Sequence, residues 1–485
     1  MLNRFIIAVI FFTFIACKKD PQNVPSPPKP GPEPSARTKE QKVRDSIYYY
    51  YKLYSYWESS IPTYKPISDI SDKYTNNNSL LTFLMNQTPV KNNYVFHGPN
   101  SPLEDYTGPL DRFSWIENLS SNFGASSRAD TYDGFGLFVV FESNAPTAPL
   151  YIGMVEGGSP AAVAGFKRGD KVIKMNDLTT VTYANYNSVN NELNKSMLTM
   201  KVLRNGVEIE HTIQNKTYSI FPVVKDSVYT VDNNKVGYFA FSSFEEMTDD
   251  SGNYTTMYTA MEEAFNSFGS AGIKKIVVDL RYNTGGYVST TIYLANKIVN
   301  SSGAGKLMFR YDVNKNLKDQ TNPGGDFADV LFNKRNNTEI TDVYFLVSDY
   351  TASAAEIVIS VLKPYAKVYI IGEHGSTYGK PVGFFRQDIM NTVGLWAASF
   401  KIANAANYSD YWDGIPADKA GVLDNVRFDF GDTRETMLAT ALAHIKTGSY
   451  TLTGASAKAS TRVGASPSSR SVMVNKIPMR NMIKD

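Results

Sequence analysis

Cysteine and histidine are scarce in this 485-residue chain, which contains one cysteine, Cys17, and four histidines. A single cysteine excludes an intramolecular disulfide, a cysteine-rich metal site and a cysteine nucleophile in the folded body. The histidines show no metal-ligand spacing and no H-E-x-x-H motif occurs, which argues against a zinc or haem enzyme. The sequence therefore predicts neither a metal site nor a cofactor.

An excess of charge of either sign is also missing, since 49 Lys and Arg residues stand against 47 Asp and Glu residues. This balance is too even for a polybasic nucleic-acid binder, so no nucleic-acid partner is expected. Hydrophobic residues make up 42% of the chain and aromatic residues 13%, which supplies material for large cores and excludes global disorder. The length predicts about three domains.

The N-terminal apolar run, residues 5–15, is too short to span a bilayer and fits the core of a signal peptide. It ends in Phe14-Ile15-Ala16-Cys17, which resembles a bacterial lipobox. We therefore predict a lipoprotein signal peptide over residues 1–17, lipidation of Cys17 and a Pro-rich tether over residues 18–37. The expected location is the bacterial cell envelope, lipid-anchored at the outer membrane and facing the periplasm or the surface. An ordinary cleaved signal with an incidental cysteine is the alternative.

The rest of the chain divides by pattern, and the predicted fold class is α/β within a multidomain protein. Residues 231–445 alternate strand and helix patterns, including strands at 343–347 and 368–371 and a helix at 354–362, which predicts an α/β layer. The other expected parts are an N-terminal helical region (38–118, with a helix at 40–59), a β-rich module (132–218, with a short helix capped by Ser159) and a mobile tail (446–485).

Three blocks in this order carry a family resemblance. Residues 134–170 look like a PDZ domain, residues 278–286 (V-D-L-R-Y-N-T-G-G) resemble a glycine turn, and residues 351–356 and 372–380 resemble nucleophile and base segments. Together they are similar to the C-terminal processing (tail-specific) serine peptidases that carry a PDZ domain, over about residues 40–445, with residues 111–114 and 414–418 as flanking landmarks. The resemblance implies a ClpP/crotonase-like α/β core.

Ser353 is the candidate nucleophile. It follows a predicted strand, stands among small residues that let a substrate backbone approach, and lies at a helix start whose unpaired N–H groups could stabilise an oxyanion. Ser353 and Glu356 also have the spacing of a capping box, which many helices without a catalytic role carry. A purely structural role is therefore the alternative.

Lys380 is the candidate base by the same resemblance. A lysine at its ordinary pKa of about 10.4 is protonated at neutral pH, so burial would have to lower that pKa. A solvated surface lysine is the alternative, and His374 in the preceding loop is a competing base. Many family members carry Gln four residues after the lysine, to orient its amine. Phe384 stands there in this chain, which puts catalytic efficiency in question.

The resemblance also implies an oxyanion hole and a peptide-binding loop. A backbone N–H of the glycine turn, Gly286 or Gly285, would act with the N–H of Ala354; the alternative is a plain strand-to-helix turn. The peptide-binding loop would be formed by four consecutive residues: Gly134, Phe135, Gly136 and Leu137. It would hold a C-terminal carboxylate while the adjacent strand edge pairs with the peptide. Alternatively the groove is closed, and the apolar side chains of this loop belong to the core.

The sequence thus predicts a serine endopeptidase of the C-terminal processing type with a Ser353–Lys380 dyad. Its partners would be polypeptides, bound through their C-termini, and a membrane, bound through the anchor; the oligomeric state is open. A non-catalytic peptide-binding envelope lipoprotein on a degenerate peptidase scaffold is the rival, motivated by Phe384. A sugar or lipid hydrolase with the same dyad is a third hypothesis, without a positive feature beyond the envelope location.

Overall fold

The structure, a computed structural model, describes residues 37–96, 104–119, 131–249, 251–452, 471–475 and 482–483. The predicted signal peptide, Cys17 and nearly all of the Pro-rich tether lie outside these residues. Within them, no helix is long and apolar enough to cross a membrane.

The N-terminal region, predicted to be helical over 38–118, contains both helices and strands. Its elements are α1 (Lys39–Tyr54), α2 (Ser68–Ser71), α3 (Asn77–Met85), β1 (Val90–Phe96), β2 (Glu104–Pro109) and β3 (Trp115–Asn118). Helix α1 ends earlier than predicted because the backbone of Ser55 leaves the helical conformation, with a ψ of 134°. Ile47 of α1 packs against Leu395 in the centre of the chain. The region therefore shares a hydrophobic cluster with the strand Val393–Asn404.

A small β module follows. Its elements are β4 (Thr131–Gly134), β5 (Leu137–Phe141), β6 (Leu150–Val155), α4 (Pro160–Val163), β7 (Lys171–Met175), α5 (Tyr186–Leu193), β8 (Met197–Arg204), β9 (Val207–Gln214) and β10 (Lys216–Ser219). Strands β5 to β9 pair in sequence to form one antiparallel sheet, and β4 pairs with β10. The predicted cap is confirmed, because Ser159 Oγ accepts a hydrogen bond from the Ala162 N–H at 3.1 Å.

The centre of the chain is built of alternating strands and helices, as predicted. Its elements are β11 (Val223–Val231), β12 (Asn234–Phe241), α6 (Thr256–Ala271), β13 (Lys275–Asp279), α7 (Val288–Ile298), β14 (Leu307–Val313), β15 (Val330–Leu331), β16 (Asp342–Val347), α8 (Ala354–Leu362), β17 (Lys367–Gly372), β18 (Val382–Ile389), β19 (Val393–Asn404) and α9 (Thr436–Thr447). Five of these strands form the core sheet, in the order β11–β12–β13–β16–β17, with β11 antiparallel and the others parallel. The predicted α/β class is confirmed.

The core sheet is covered on both faces. Because side chains alternate along a strand, Val278 and Phe345 pack with helices α6 to α8, while Val277 and Leu346 pack with α9 and the β module. Parallel strands covered on both faces read as continuous apolar runs, as residues 276–278 (Ile-Val-Val) do. This layering leaves the carboxyl ends of the parallel strands at one edge of the sheet.

A second sheet was not predicted. The β18–β19 hairpin forms it with β14, β15 and β3, and β3 adds to the edge of β19 at Trp396. Nearly every residue of β19 is buried. Strand β19 therefore lacks the alternation of apolar and polar residues that indicates a half-exposed strand.

The described residues of the tail, for which a mobile segment was predicted, include two short strands. These are β20 (Val472–Met473), which pairs with β5, and β21 (Met482–Ile483), which pairs with β18. Composition suggested mobility, but backbone pairing with two sheet edges holds these segments in place.

Candidate active site

Three loops meet where the parallel strands of the core sheet end. They follow β13, β16 and β17 and span residues 280–287, 348–353 and 373–381. The Thr351 hydroxyl donates to the Leu280 carbonyl at 2.8 Å, and the Tyr378 N–H donates to the Thr351 carbonyl at 2.9 Å. In open α/β sheets this edge is where ligands bind. The loops carry the predicted site residues of the centre of the chain.

Ser353 stands at the turn between β16 and α8. Its backbone has a φ of 63°, which is unusual for a residue with a side chain, and it caps the first turn of α8. The Ser353 Oγ is buried and has no hydrogen-bond partner among the described residues. A strained strand-to-helix turn that carries a serine is a recognised way to present a nucleophile. The Ser360 Oγ, further along α8, is also buried without a partner in the part of the chain that the structure describes, so the positive φ at the strand-to-helix turn is what distinguishes Ser353.

Glu356 joins the Ser353 turn to the Lys380 loop. Its Oε2 accepts hydrogen bonds from the N–H of Ser353 at 2.8 Å and from the N–H of Lys380 at 2.9 Å. Its Oε1 accepts from the Gly379 N–H at 2.8 Å and from the Thr377 hydroxyl at 2.5 Å. The glutamate half of the capping box is thus formed, whereas the Ser353 Oγ makes no hydrogen bond among the described residues. One oxygen atom holds the backbones of the candidate nucleophile and the candidate base together.

Lys380 is buried, with 1% of its surface exposed, rather than solvated. The Nζ lies 5.2 Å from the centre of the Phe113 ring and 5.0 Å from that of Phe384. Burial lowers the pKa of Lys380 to about 7; the negative charge of Glu356 opposes this shift and the positive charge of Arg112 adds to it. A substantial fraction of this amine is therefore uncharged at neutral pH.

The glycine turn approaches the first loop after β12. The φ of Gly286 is 137°, and a Cβ placed on it would come within 2.2 Å of the Phe244 carbonyl oxygen, so only glycine fits. The Gly285 N–H donates to Asn283 Oδ1 at 3.0 Å and is thereby engaged. No described residue accepts a hydrogen bond from the N–H of Gly286 or from that of Ala354, the first residue of α8. Of the three predicted donors, these two have free N–H groups among the described residues.

The predicted peptide-binding loop lies in the β module, at the start of β5. Phe135 and Leu137 are buried in the core of the module. Gly136, at a φ of 65°, packs against Ser159, where a Cβ would come within 2.0 Å of the serine Cβ. The apolar side chains of this loop therefore pack inward, and the edge of β5 is the part of the module that pairs with another segment.

His374 contacts a different partner. Its Nε2 lies 3.6 Å from an Asp349 carboxylate oxygen. The Ser353 Oγ is bonded to neither the His374 ring nor the Lys380 amine among the described residues, and the described side-chain contact of His374 is to Asp349. Across the part of the chain that the structure describes, no cluster of His, Cys, Asp and Glu could hold a metal ion.

Sequence reasoning missed the environment of the candidate base. Phe113 was noted only within a landmark, and Phe384 only as a departure from the family, yet both rings flank the Lys380 amine. Glu356 was considered only as a helix cap. The serine-to-glutamate spacing was a real signal for it, but nothing local shows that its carboxylate also binds the Lys380 loop.

A buried ion network connects the β module to the glycine turn. Asp424 binds the guanidinium groups of Arg168, from the module, and of Arg281, which directly follows β13, the latter at 2.6 Å. The Tyr282 hydroxyl donates to Asp424 at 2.5 Å. Arg281 also pairs with Asp279 at 2.7 Å. The residues that lead into the Gly286 turn are therefore bonded to the β module as well as to the core.

Comparisons with known proteins find a family similarity in the centre of the chain. Residues 235–412 match the model of peptidase family S41. A crystal structure of a candidate S41 protease from Bacteroides fragilis NCTC 9343 superposes with a TM-score of 0.59 at 22% identity, covering 86% of this chain and 99% of that chain. At this identity the likeness shows the fold alone.

Curated relatives match over a smaller part of their own length. The chain is 26% identical over 287 residues to the carboxy-terminal processing protease CtpA of Bacillus subtilis (strain 168), which covers 58% of this chain and 52% of the relative. It is 28% identical over 228 residues to a CtpA-like serine protease of Staphylococcus aureus (strain bovine RF122 / ET3-1), covering 46% and 40%. The chain thus spans about half the length, or less, of these relatives.

Proposed function

We propose that the protein is a serine endopeptidase of the C-terminal processing type, with Ser353 as nucleophile and Lys380 as general base. The observation that carries the proposal is the shared Glu356 oxygen, which bonds the backbones of both residues while the lysine amine is buried. The S41 match of residues 235–412 supports it. Proximity of a nucleophile and a base with a suitable pKa is what acyl transfer requires.

In the proposed reaction the neutral Lys380 amine accepts the proton of the Ser353 hydroxyl as its oxygen attacks the carbonyl carbon of a peptide bond. The N–H groups of Gly286 and Ala354 stabilise the negative oxygen of the tetrahedral intermediate. The protonated amine then gives its proton to the leaving nitrogen, and the peptide bond breaks. Water hydrolyses the resulting ester, with Lys380 again accepting a proton.

Phe384 places an aromatic ring beside the Lys380 amine, where many family members carry a glutamine that orients the amine. The ring helps to keep water from the amine, and burial is the main cause of the lowered pKa. Orientation would then come from the backbone, because the Lys380 N–H is fixed by Glu356. The rival, a non-catalytic peptide-binding protein, gains its only support from this substitution.

The β module is proposed to engage polypeptide C-termini by strand addition to β5. The edge of β5 follows directly after the Gly134–Leu137 loop, and it accepts an antiparallel segment of the tail. Main-chain pairing of this kind binds extended peptides with little regard to sequence.

A comparison of two buried serines on one helix tests the proposal. Ser353→Ala is expected to reduce cleavage of an unstructured polypeptide by about 10⁶-fold, to the background. Ser360→Ala is the matched control, because the Ser360 Oγ is also buried and unpartnered among the described residues but lies further along α8. A serine-reactive phosphonate should modify Ser353.

The outcomes separate the rival functions. Cleavage by the parent protein and by Ser360→Ala, but not by Ser353→Ala, supports the peptidase. Absence of cleavage by all three proteins, with peptide binding retained, favours the binding protein, and modification of another serine overturns the site assignment.

A further inference from the structure

Two segments of the tail lie on the two surfaces that the proposed function assigns to a polypeptide substrate. Residues 471–475 lie on the β module and residues 482–483 lie beside the candidate active site. The residues that join them lie outside the described part of the chain.

The first segment adds to the edge of β5. Met473 pairs with Val140, and the Val474 N–H donates to the Val139 carbonyl at 3.0 Å. The Tyr186 hydroxyl of α5 donates to the Val474 carbonyl at 3.3 Å. The segment therefore lies between β5 and α5 as an extended strand.

Asn475 closes this contact near the Gly134–Leu137 loop. Its side-chain oxygen accepts from the Val139 N–H at 3.0 Å, and its side-chain nitrogen donates to the Leu137 carbonyl at 2.5 Å. A side-chain amide thus takes two backbone groups of β5 at the end where the strand begins. An incoming peptide could not pair with β5 here until this segment left.

The second segment lies between the two elements that frame the candidate site. Ile483 pairs with Phe384 of β18, and its N–H donates to the Gly286 carbonyl at 3.2 Å. Its side chain packs with the apolar cluster that contains Phe384, Trp396 and Phe113. The backbone of Ile483 thus bridges the proposed oxyanion turn and the strand that follows the proposed base.

We propose that the tail is an internal ligand of the peptidase site, occupying the β5 edge and the position between β18 and Gly286 that an extended polypeptide must take. This inference rests on the proposed function, which makes the two surfaces a substrate site. The contacts of the tail with those surfaces do not depend on it. The occupant also indicates the preferred ligand, an extended peptide that places a large aliphatic side chain against Phe384 and Trp396.

Competition by a segment of the same chain has a predictable strength. A tethered ligand experiences an effective concentration of about 1 mM. A segment whose free peptide binds with a Kd of about 0.1 mM would then occupy the site about nine-tenths of the time. Substrate must displace it, which raises KM and leaves kcat nearly unchanged.

The test weakens the tail contact in the full chain. Ile483→Asp places a charge against the apolar cluster and should lower KM for an unstructured polypeptide about tenfold, with kcat of the same order. Asn475→Ala removes the two side-chain bonds to β5 and should lower KM less. Val207→Asp is the matched control, since Val207 is 62% exposed on the β module, and its KM should equal that of the parent.

A binding measurement keeps the inference separate from catalysis. A fluorescent peptide of residues 470–485 should bind the double variant Ser353→Ala/Ile483→Asp more tightly than it binds the single variant Ser353→Ala. The intact tail of the single variant competes with the peptide. The same peptide with Ile483→Asp should bind weakly. This pattern without any cleavage would support the inference and refute the proposed function. Unchanged KM in both tail variants, together with equal peptide binding by the two proteins, would overturn the inference.

Discussion

Two buried carboxylates, Glu356 and Asp424, each join separate segments of the chain, but their partners are opposite in kind. Glu356 accepts hydrogen bonds from three N–H groups and one hydroxyl. Asp424 binds the guanidinium groups of Arg168 and Arg281. Burial raises the pKa of Glu356. Burial alone would raise that of Asp424 as well, but the two arginine charges hold its pKa below the usual range.

The difference shows that the groups around a buried carboxylate decide what it contributes to the protein. A carboxylate held by neutral donors fixes the backbone around it and still acts electrostatically on a nearby amine, as Glu356 acts on Lys380. The charge of a carboxylate among cations is balanced by those cations. Asp424 therefore contributes by joining the β module to the core. We therefore expect variants of the first centre to alter catalysis, and variants of the second to alter stability.

The largest effect should follow removal of the amine beside Glu356. Lys380→Met is expected to lower kcat about 10²–10⁴-fold, as for loss of a general base, measured on an unstructured polypeptide. Because the base must be uncharged, kcat/KM of the parent should rise with pH through about 7, the pKa of Lys380, and level off above it.

The matched control is Lys334→Met. Burial lowers the pKa of Lys334 too, but its Nζ donates to Asn336 Oδ1 at 2.8 Å, away from the site. A comparable loss of kcat in both variants, or a flat pH profile in the parent, would remove Lys380 from the reaction.

The next largest effect is expected on stability, when the charge of Asp424 between Arg168 and Arg281 is removed. Asp424→Asn leaves two buried arginines facing a neutral amide and should lower the free energy of unfolding by about 3–5 kcal/mol. Urea unfolding monitored by tryptophan fluorescence measures this change. Asp432→Asn, which loses a pair with the exposed Arg434, is the control and should cost about 0–1 kcal/mol.

The smallest change in stability should come from the first centre. Glu356→Gln turns one acceptor oxygen into a donor that faces an N–H group, which should cost about 1–3 kcal/mol in the free energy of unfolding. The displaced Ser353 and Lys380 backbones should lower kcat by about 10²-fold. If Asp424→Asn lowered kcat more than Glu356→Gln did, or destabilised the protein less, the division between the two centres would be wrong.

Local patterns predicted much of the framework of the site. The strand–turn–helix around Ser353, the helix over residues 354–362 and the Ser159 cap are features of neighbouring residues, and the structure has all three. The β18–β19 hairpin was missed because nearly every residue of β19 is buried, which leaves no periodicity to read. The tail strands were missed because their Ser-rich context gives no sign of the edges that they join.

The order of chain segments explains which loops meet. Strands alternating with helices form a parallel sheet whose carboxyl ends share one edge, so the loops after β13, β16 and β17 converge there. The contacts between the loops were not predictable. Hydrogen bonds such as those from Thr377 and Gly379 to Glu356 depend on the path of each loop.

The sequence by itself determined the chemical groups and their local presentation: a serine between a strand and a helix, glycines where a side chain would not fit, and a glutamate one helical turn after the serine. Only the tertiary structure decided that the Lys380 amine is buried between Phe113 and Phe384, and that the tail reaches Gly286. A pKa and a pairing partner depend on what surrounds a group in space, and those surroundings are assembled from segments far apart in the chain.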